Sequence, residues 1–281
     1  MSETIARYEP DNSLRKGYLS IFSEIDSELR KNRWLTYQLF KRDFFAVYKQ
    51  SFFGVLWALV VPLVSVGTFI ILNRSGVFTI GDINVPYPIY AILGMAFWQL
   101  FSAGLVASSN SLVKAGSMIA KVNFSKKALV IASTGQSIVS FLIQFVLVGI
   151  LFACYRIAPS MAILWVPVIM IPIMLLTLGL GFILSLLNAV VRDVGNMLSV
   201  LMTFFMFLTP VLYAKPTKGV LARITEYNPL YYLVSVPRDL VLTGTVPELK
   251  GFLISSAISV IILMVCLIAF HLTETRIAER I

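Results

Sequence analysis

Six stretches of this chain contain no Asp, Glu, Lys or Arg: residues 50–73, 83–113, 128–155, 157–191, 194–214 and 251–273. A helix needs roughly 20 apolar residues to cross a hydrocarbon layer about 30 Å thick. Each stretch is long enough, so each is predicted to form one membrane-spanning helix. The runs are continuous and rich in Leu, Ile, Val and Phe, without the alternating segments of an outer-membrane barrel. With 58% hydrophobic residues, 13% charged residues and a mean hydropathy of +0.86, the chain has more apolar surface than one soluble core hides. The predicted fold class is an all-α polytopic membrane protein with six transmembrane helices.

Residues 1–33 are polar, mixed in charge and lack an apolar centre, so the first spanning helix is expected to act as the insertion signal. Orientation follows from Lys and Arg, which accumulate in cytoplasmic segments. Nine fall in the N-terminal region, four in 114–127, one at Arg192 and two at the C-terminus, all on one side. Arg74, Arg156 and five in 215–250 fall on the other. Both termini are therefore predicted to be cytoplasmic. Cys154 and Cys266 then lie near opposite faces, and no disulfide between them is expected.

Residues 34–50 have a helical period, with Tyr37, Phe40, Phe44, Val47 and Tyr48 on one side and Gln38, Arg42 and Lys49 opposite. That pattern predicts an amphipathic helix lying in the membrane interface. The transmembrane region 51–272 follows, with helices at about 51–73, 87–112, 128–153, 162–190 and 197–213 and a last one ahead of the cytoplasmic tail 273–281. Between the second and third helices, 114–127 holds Lys114, Lys121, Lys126 and Lys127 and no acid. This loop is long enough for one or two short helical turns, and a docking surface for a soluble partner is expected there. A tight turn carries Arg192 and Asp193. In the outer segment 215–250, Asn228 suits a helix cap, Pro229 the first helical position, Pro237 a kink and Gly244 a stop. Two short re-entrant or interfacial helices on the outer face are predicted.

Several kinds of chemistry are missing from the sequence. There is no GxxxxGK[ST] phosphate loop. His271 is the single histidine, and no His/Cys/Asp/Glu cluster has metal-ligand spacing in the sequence. The six spans hold no ionisable residue at depth, whereas ion-coupled carriers need such groups and lipid-phosphate enzymes need an acid–base or metal centre. A separate ATPase is the economical source of energy.

The blocks KRDFFAVYKQSFFGVLWALVVPL (41–63), VPYPIYAILGMAFWQLFSAGLVASSNSLVKAGSMIAKVNFSKK (85–127), LNAVVRDVGNMLSVLMTFFMFLTPVLY (187–213) and YNPLYYLVSVPRDLVLTG (227–244) occur in this order. Together they resemble the membrane subunit of type-2 ABC exporters of lipid-linked polysaccharide, the group that includes O-antigen, capsule and teichoic acid exporters. The resemblance covers roughly residues 34–272 and assigns the first 30 no role. It implies a homodimer bound to two cytoplasmic ATP-binding subunits, which would hold ATP and Mg²⁺, with no cofactor or metal on this chain. The expected cargo is undecaprenyl-diphosphate-linked polysaccharide, with O-antigen favoured.

By the same resemblance, Lys114, Lys121, Lys126, Lys127, Arg192 and Asp193 would contact the ATPase. Trp57, Phe204, Phe205, Phe207 and Tyr213 would line a channel formed by the first and fifth helices of two copies. Asn228, Pro229, Tyr231, Tyr232, Arg238 and Asp239 would belong to an outer gate. Aromatic rings suit such a channel because they stack on sugar faces without demanding one hydroxyl pattern. Lys41, Arg42 and Lys49 are candidates for a basic entrance that attracts the lipid diphosphate. The alternatives are a type-2 permease for a smaller lipid or drug, or a membrane-embedded lipid-glycan enzyme.

Overall fold

A computed structural model describes residues 18–49, 56–76, 80–81, 83–116 and 125–277. Among them every regular element is helical. The first half contains α1 (Tyr18–Lys31), α2 (Arg33–Lys49), α3 (Trp57–Arg74), α4 (Tyr87–Ser109), α5 (Ser111–Lys114) and α6 (Lys126–Tyr155). A 3₁₀ turn (Met161–Trp165) then leads into α7 (Val166–Ile169), α8 (Ile171–Val190) and α9 (Asp193–Leu208). The chain finishes with α10 (Val220–Tyr227), α11 (Pro229–Thr243) and α12 (Leu249–Ile277).

Four segments are long and apolar enough to cross a membrane: Tyr87–Ser109, Lys126–Tyr155, Met161–Val190 and Leu249–Glu274. Leu59–Arg74 and Asp193–Leu208 are apolar but shorter. At 1.5 Å per residue, α9 reaches about 24 Å, less than a full hydrocarbon thickness. It stops at Leu208 rather than near residue 213 because Thr209 precedes Pro210 and takes an extended conformation, with ψ at 122°. The expected uninterrupted helix over 162–190 likewise begins as two short pieces. Pro167 and Pro172 each open a new helical segment, where their missing N–H costs nothing. Pro237, by contrast, is carried inside α11 without ending it.

The helices pack around α4, which is buried along most of its length by α6, α8, α9 and α11. Ile89, Leu93, Phe97, Phe101 and Leu105 form the centre of the main core, and Phe141, Val148, Ile173 and Leu176 close on it. Lipid tails are as apolar as these side chains, so close approach and shape complementarity hold the bundle together more than solvent exclusion does. Gly104 shows how tight the approach is. A Cβ there would lie 2.8 Å from Ser137 Oγ on α6 and 2.9 Å from Thr177 Cγ2 on α8.

One face of the bundle carries α1, α2, α5, the turn at Val191–Arg192 and the end of α12; it is called the basal face below. The far face carries the 3₁₀ turn, α7, α10 and α11. On the basal side α2 packs along α6, with Leu39 buried and the Phe40 ring against Gly135. Trp34, Tyr37 and Phe45 remain exposed. The helical period puts Tyr37 and Phe40 on one apolar side, but the docking of α2 separates them, because aromatic residues occur around most of this helix. Replacing Gly104 by Val should destabilise the bundle by about 1–3 kcal/mol through overpacking. A fall in the unfolding temperature of the detergent-solubilised chain would measure this, and an unchanged midpoint would refute the close-packing account.

Candidate functional site

The predicted channel residues divide into two groups. Phe204 is 63% exposed and Trp57 48% exposed, and Phe205 and Phe207 are also open. Of α9 only Gly195, Leu198 and Met202 are buried, so one side of this helix packs on the bundle and the other is an uncovered aromatic and aliphatic face. Phe69 of α3 meets Phe207 with ring centroids 6.1 Å apart, which brings the far ends of α3 and α9 together. Tyr213 lies elsewhere. It is 7% exposed, in the irregular segment after α9, and its hydroxyl donates to the Phe207 carbonyl. It is a buried donor rather than part of the open face.

The far-face residues form a hydrogen-bonded clasp. Asn228 Oδ1 accepts from the Leu230 amide at 3.0 Å, capping α11, while its Nδ2 donates to Thr209 Oγ1 at 2.9 Å. Pro229 occupies the first turn of α11, and Gly244 ends the helix at φ 74°. Arg238 is only 3% exposed, with its guanidinium 4.0 Å above the Tyr90 ring. It donates from Nε to Asp239 Oδ1 at 3.0 Å and from Nη1 to the Pro210 carbonyl at 3.3 Å. The hydroxyls of Tyr87 and Tyr90 donate to the carbonyls of Leu212 (3.0 Å) and Tyr213 (3.1 Å). The backbone polar groups that Pro210 leaves outside a helix therefore find partners on α4 and α11.

Tyr231 is buried with the Lys215 ammonium 5.1 Å from its ring, and Lys215 pairs with Glu248 at 2.5 Å. The Tyr232 hydroxyl donates to the Glu226 carbonyl at 2.8 Å. A shallow groove between the end of α9 and α10 is lined by Phe205, Leu208, Arg223, Ile224, Tyr227 and Asn228.

On the basal face, Lys114, Arg192 and Asp193 are exposed. Lys121 lies outside the described residues, as does most of the loop around it. Lys126 is half-buried and donates to the Glu274 carbonyl at 2.8 Å. Lys127 is not a surface residue: it is 0% exposed and its ammonium is bound by Glu28, at 2.8 Å, and by Glu274. His271 adds contacts of 3.4 Å to Glu274 and 3.8 Å to Glu24. Glu28, His271 and Glu274 bring ligand atoms within 4.8 Å of one another, a spacing suited to a metal, but the Lys127 ammonium already supplies the positive charge for both carboxylates. At the proposed entrance, Lys41 and Arg42 are exposed, Arg42 being paired with Asp43 at 2.6 Å, and the Lys49 side chain lies outside the described set.

Sequence reasoning missed a second basal contact. Asn188 Nδ2 donates to the Ser109 carbonyl and to Asn110 Oδ1, both at 3.0 Å, and its Oδ1 accepts from the Gly195 amide at 2.9 Å. These bonds fasten the turn bearing Arg192 and Asp193 to the basal end of α4. A Cβ on Gly195 would lie 2.7 Å from Asn110 Oδ1. Residues 188 and 195 lie within one quoted block, but nothing in their spacing points to Asn110.

Residues 35–242 match the sequence profile of the ABC-2 type transporter family. The chain belongs to that family. It is similar to the O-antigen export system permease protein RfbA of Myxococcus xanthus, with 26% identity over 262 residues, covering 90% of this chain and 98% of the relative. Two proteins of the same description from Klebsiella pneumoniae are 26% and 28% identical, covering 85% and 72% of this chain and 91% and 78% of their own lengths. The ABC-2 chain is thus a multi-pass membrane permease, in a family whose members work with separate ATP-binding subunits. The family match starts in α2 and ends in α11, so α1 and α12 fall outside it.

Replacing Arg238 by Lys keeps the charge but loses the planar stack on Tyr90 and the forked donors. The expected loss is about 2 kcal/mol for a desolvated contact, read from thermal unfolding in detergent, with exposed Arg223→Lys unchanged as the control. Asn188→Ala strands the Gly195 amide and should cost about 1–3 kcal/mol. Equal unfolding midpoints for Asn188→Ala and the parent chain would contradict the anchoring role.

Proposed function

We propose that the chain is the transmembrane subunit of an ATP-driven exporter that carries undecaprenyl-diphosphate-linked polysaccharide, with O-antigen favoured, from the cytoplasmic to the outer face of a bacterial inner membrane. In this reading all six apolar helices span, the basal face is cytoplasmic, and two copies enclose the path. Two ATP-binding subunits sit beneath them on Lys114, Lys121 and the Arg192–Asp193 turn.

The observation that carries the reading is the uncovered side of α9, with Trp57 exposed at the basal start of α3. Trp57, Phe204, Phe205 and Phe207 stand open on helices that are otherwise apolar, while the opposite side of α9 is packed. A wall of rings is adhesive toward sugar faces yet indifferent to hydroxyl pattern, which lets a polymer slide. The charged side chains of the long helices lie toward their ends, and at mid-depth the pair Gln99–Gln144, 2.9 Å apart, is uncharged. That pair lies between α4 and α6 with Gln144 buried, and the scarcity of charge at depth supports an energy source in the partner's ATP. The names of the curated relatives favour a polysaccharide over a small lipid or drug.

In this scheme the lipid diphosphate meets Lys41 and Arg42 at the membrane surface, the head group enters sideways, and the glycan follows between the two copies. The clasp around Asn228, Tyr231, Tyr232, Arg238 and Asp239 closes the far end. Closure of the ATPase dimer moves the basal segments and opens the path.

Reconstituted with its ATPase in liposomes, the complex should hydrolyse ATP faster when the lipid-linked glycan is present, and cells lacking the chain should retain that glycan inside. The triple substitution Phe204→Ala, Phe205→Ala, Phe207→Ala should reduce export at least tenfold while the complex still assembles. Glycan-independent hydrolysis together with normal surface glycan in the deletion strain would refute the reading.

A further inference from the structure

The basal ion cluster has no place in the scheme above. Lys127 belongs to the first turn of α6, immediately after the loop that begins at α5, and it is wholly buried between Glu28 of α1 and Glu274 of α12. Adjacent Lys126 adds a bond to the Glu274 carbonyl, and His271 stands between the Glu274 carboxylate, at 3.4 Å, and that of Glu24, at 3.8 Å. Three elements far apart in the chain are thus joined at one ammonium. Well-packed apolar residues often stabilise such a position as well as an ion pair does, so what this arrangement contributes is register: a buried charge holds its partners in one geometry and penalises any other. The three elements meet where the loop 114–127 rejoins the membrane bundle.

We propose that Lys127 is a positioning residue for transport: it locks α1 and the basal end of α12 onto the first turn of α6, so that a displacement of the 114–127 loop moves the three as one body. The N-terminal helix is then part of the coupling apparatus rather than a tail. This rests on the transport reading, in which the loop is moved by the ATPase.

The test uses the full-length chain assembled with its ATPase. Lys127→Met alone leaves two carboxylates without their cation and is expected to fold poorly. The informative variant is therefore Glu28→Gln, Lys127→Met, Glu274→Gln, which removes all three charges together. Two quantities are read: hydrogen–deuterium exchange across Tyr18–Lys31, and the amount of glycan exported per ATP hydrolysed.

The triple variant is expected to assemble, to exchange at least tenfold faster over Tyr18–Lys31, and to export at least fivefold less glycan per ATP. A purely structural role would lower hydrolysis and export together and leave their ratio alone, and that result would overturn the proposal. Unchanged exchange over Tyr18–Lys31 would overturn it as well. If the wild-type complex exported nothing while the exchange difference persisted, the transport reading would be the part refuted, and Lys127 would be a structural clamp only.

Discussion

The burial of α4 is the constraint on which the other elements depend. A helix surrounded by neighbours in an apolar medium gains little from solvent exclusion, so its partners must fit it closely. Gly104 against Ser137 and Thr177 and the ring cluster at Phe97 and Phe141 provide that fit. Because α4 fills the centre, α6 and α8 are fixed against it, and α3 and α9 are left toward the edge with one face covered and one open. The arrangement separates a rigid body from two edge helices.

Polar contacts then act at the two ends of this body. At the far end, Arg238, Tyr87 and Tyr90 donate to the carbonyls of Pro210, Leu212 and Tyr213, left without helical partners where α9 ends, and Asn228 donates to the Thr209 hydroxyl. At the basal end, Asn188 ties the α8–α9 turn to α4, and Lys127 ties α1 and α12 to α6. Helix α9 is thus held at both tips, with its middle against the bundle on one side only. In the transport scheme, that is a helix whose tilt responds to its ends.

The aromatic residues illustrate how a residue type and its environment part company. Phe204 and Tyr213 both sit in an apolar, ring-rich stretch, yet one is exposed and the other is a buried donor to Phe207. The difference comes from the helix break at Thr209, which turns the chain inward after the last exposed ring. Tyr37 and Phe40 differ for a related reason, since α2 chooses which of its aromatic sides to bury by docking on Gly135 of α6.

Charge-free runs and helix punctuation were enough to establish an all-helical membrane chain, the order of its helices, the cap at Asn228 and the stop at Gly244, because these depend on local solvation and backbone geometry. The block pattern carried the family. Tertiary structure decided the rest. Lys126 and Lys127 read as two members of a basic loop until Glu28 and Glu274, from opposite ends of the chain, enclose one of them. The Asn110–Asn188 contact is equally non-local. Burial of a charge or an amide is a property of the partners around it, and those partners are brought together only by packing.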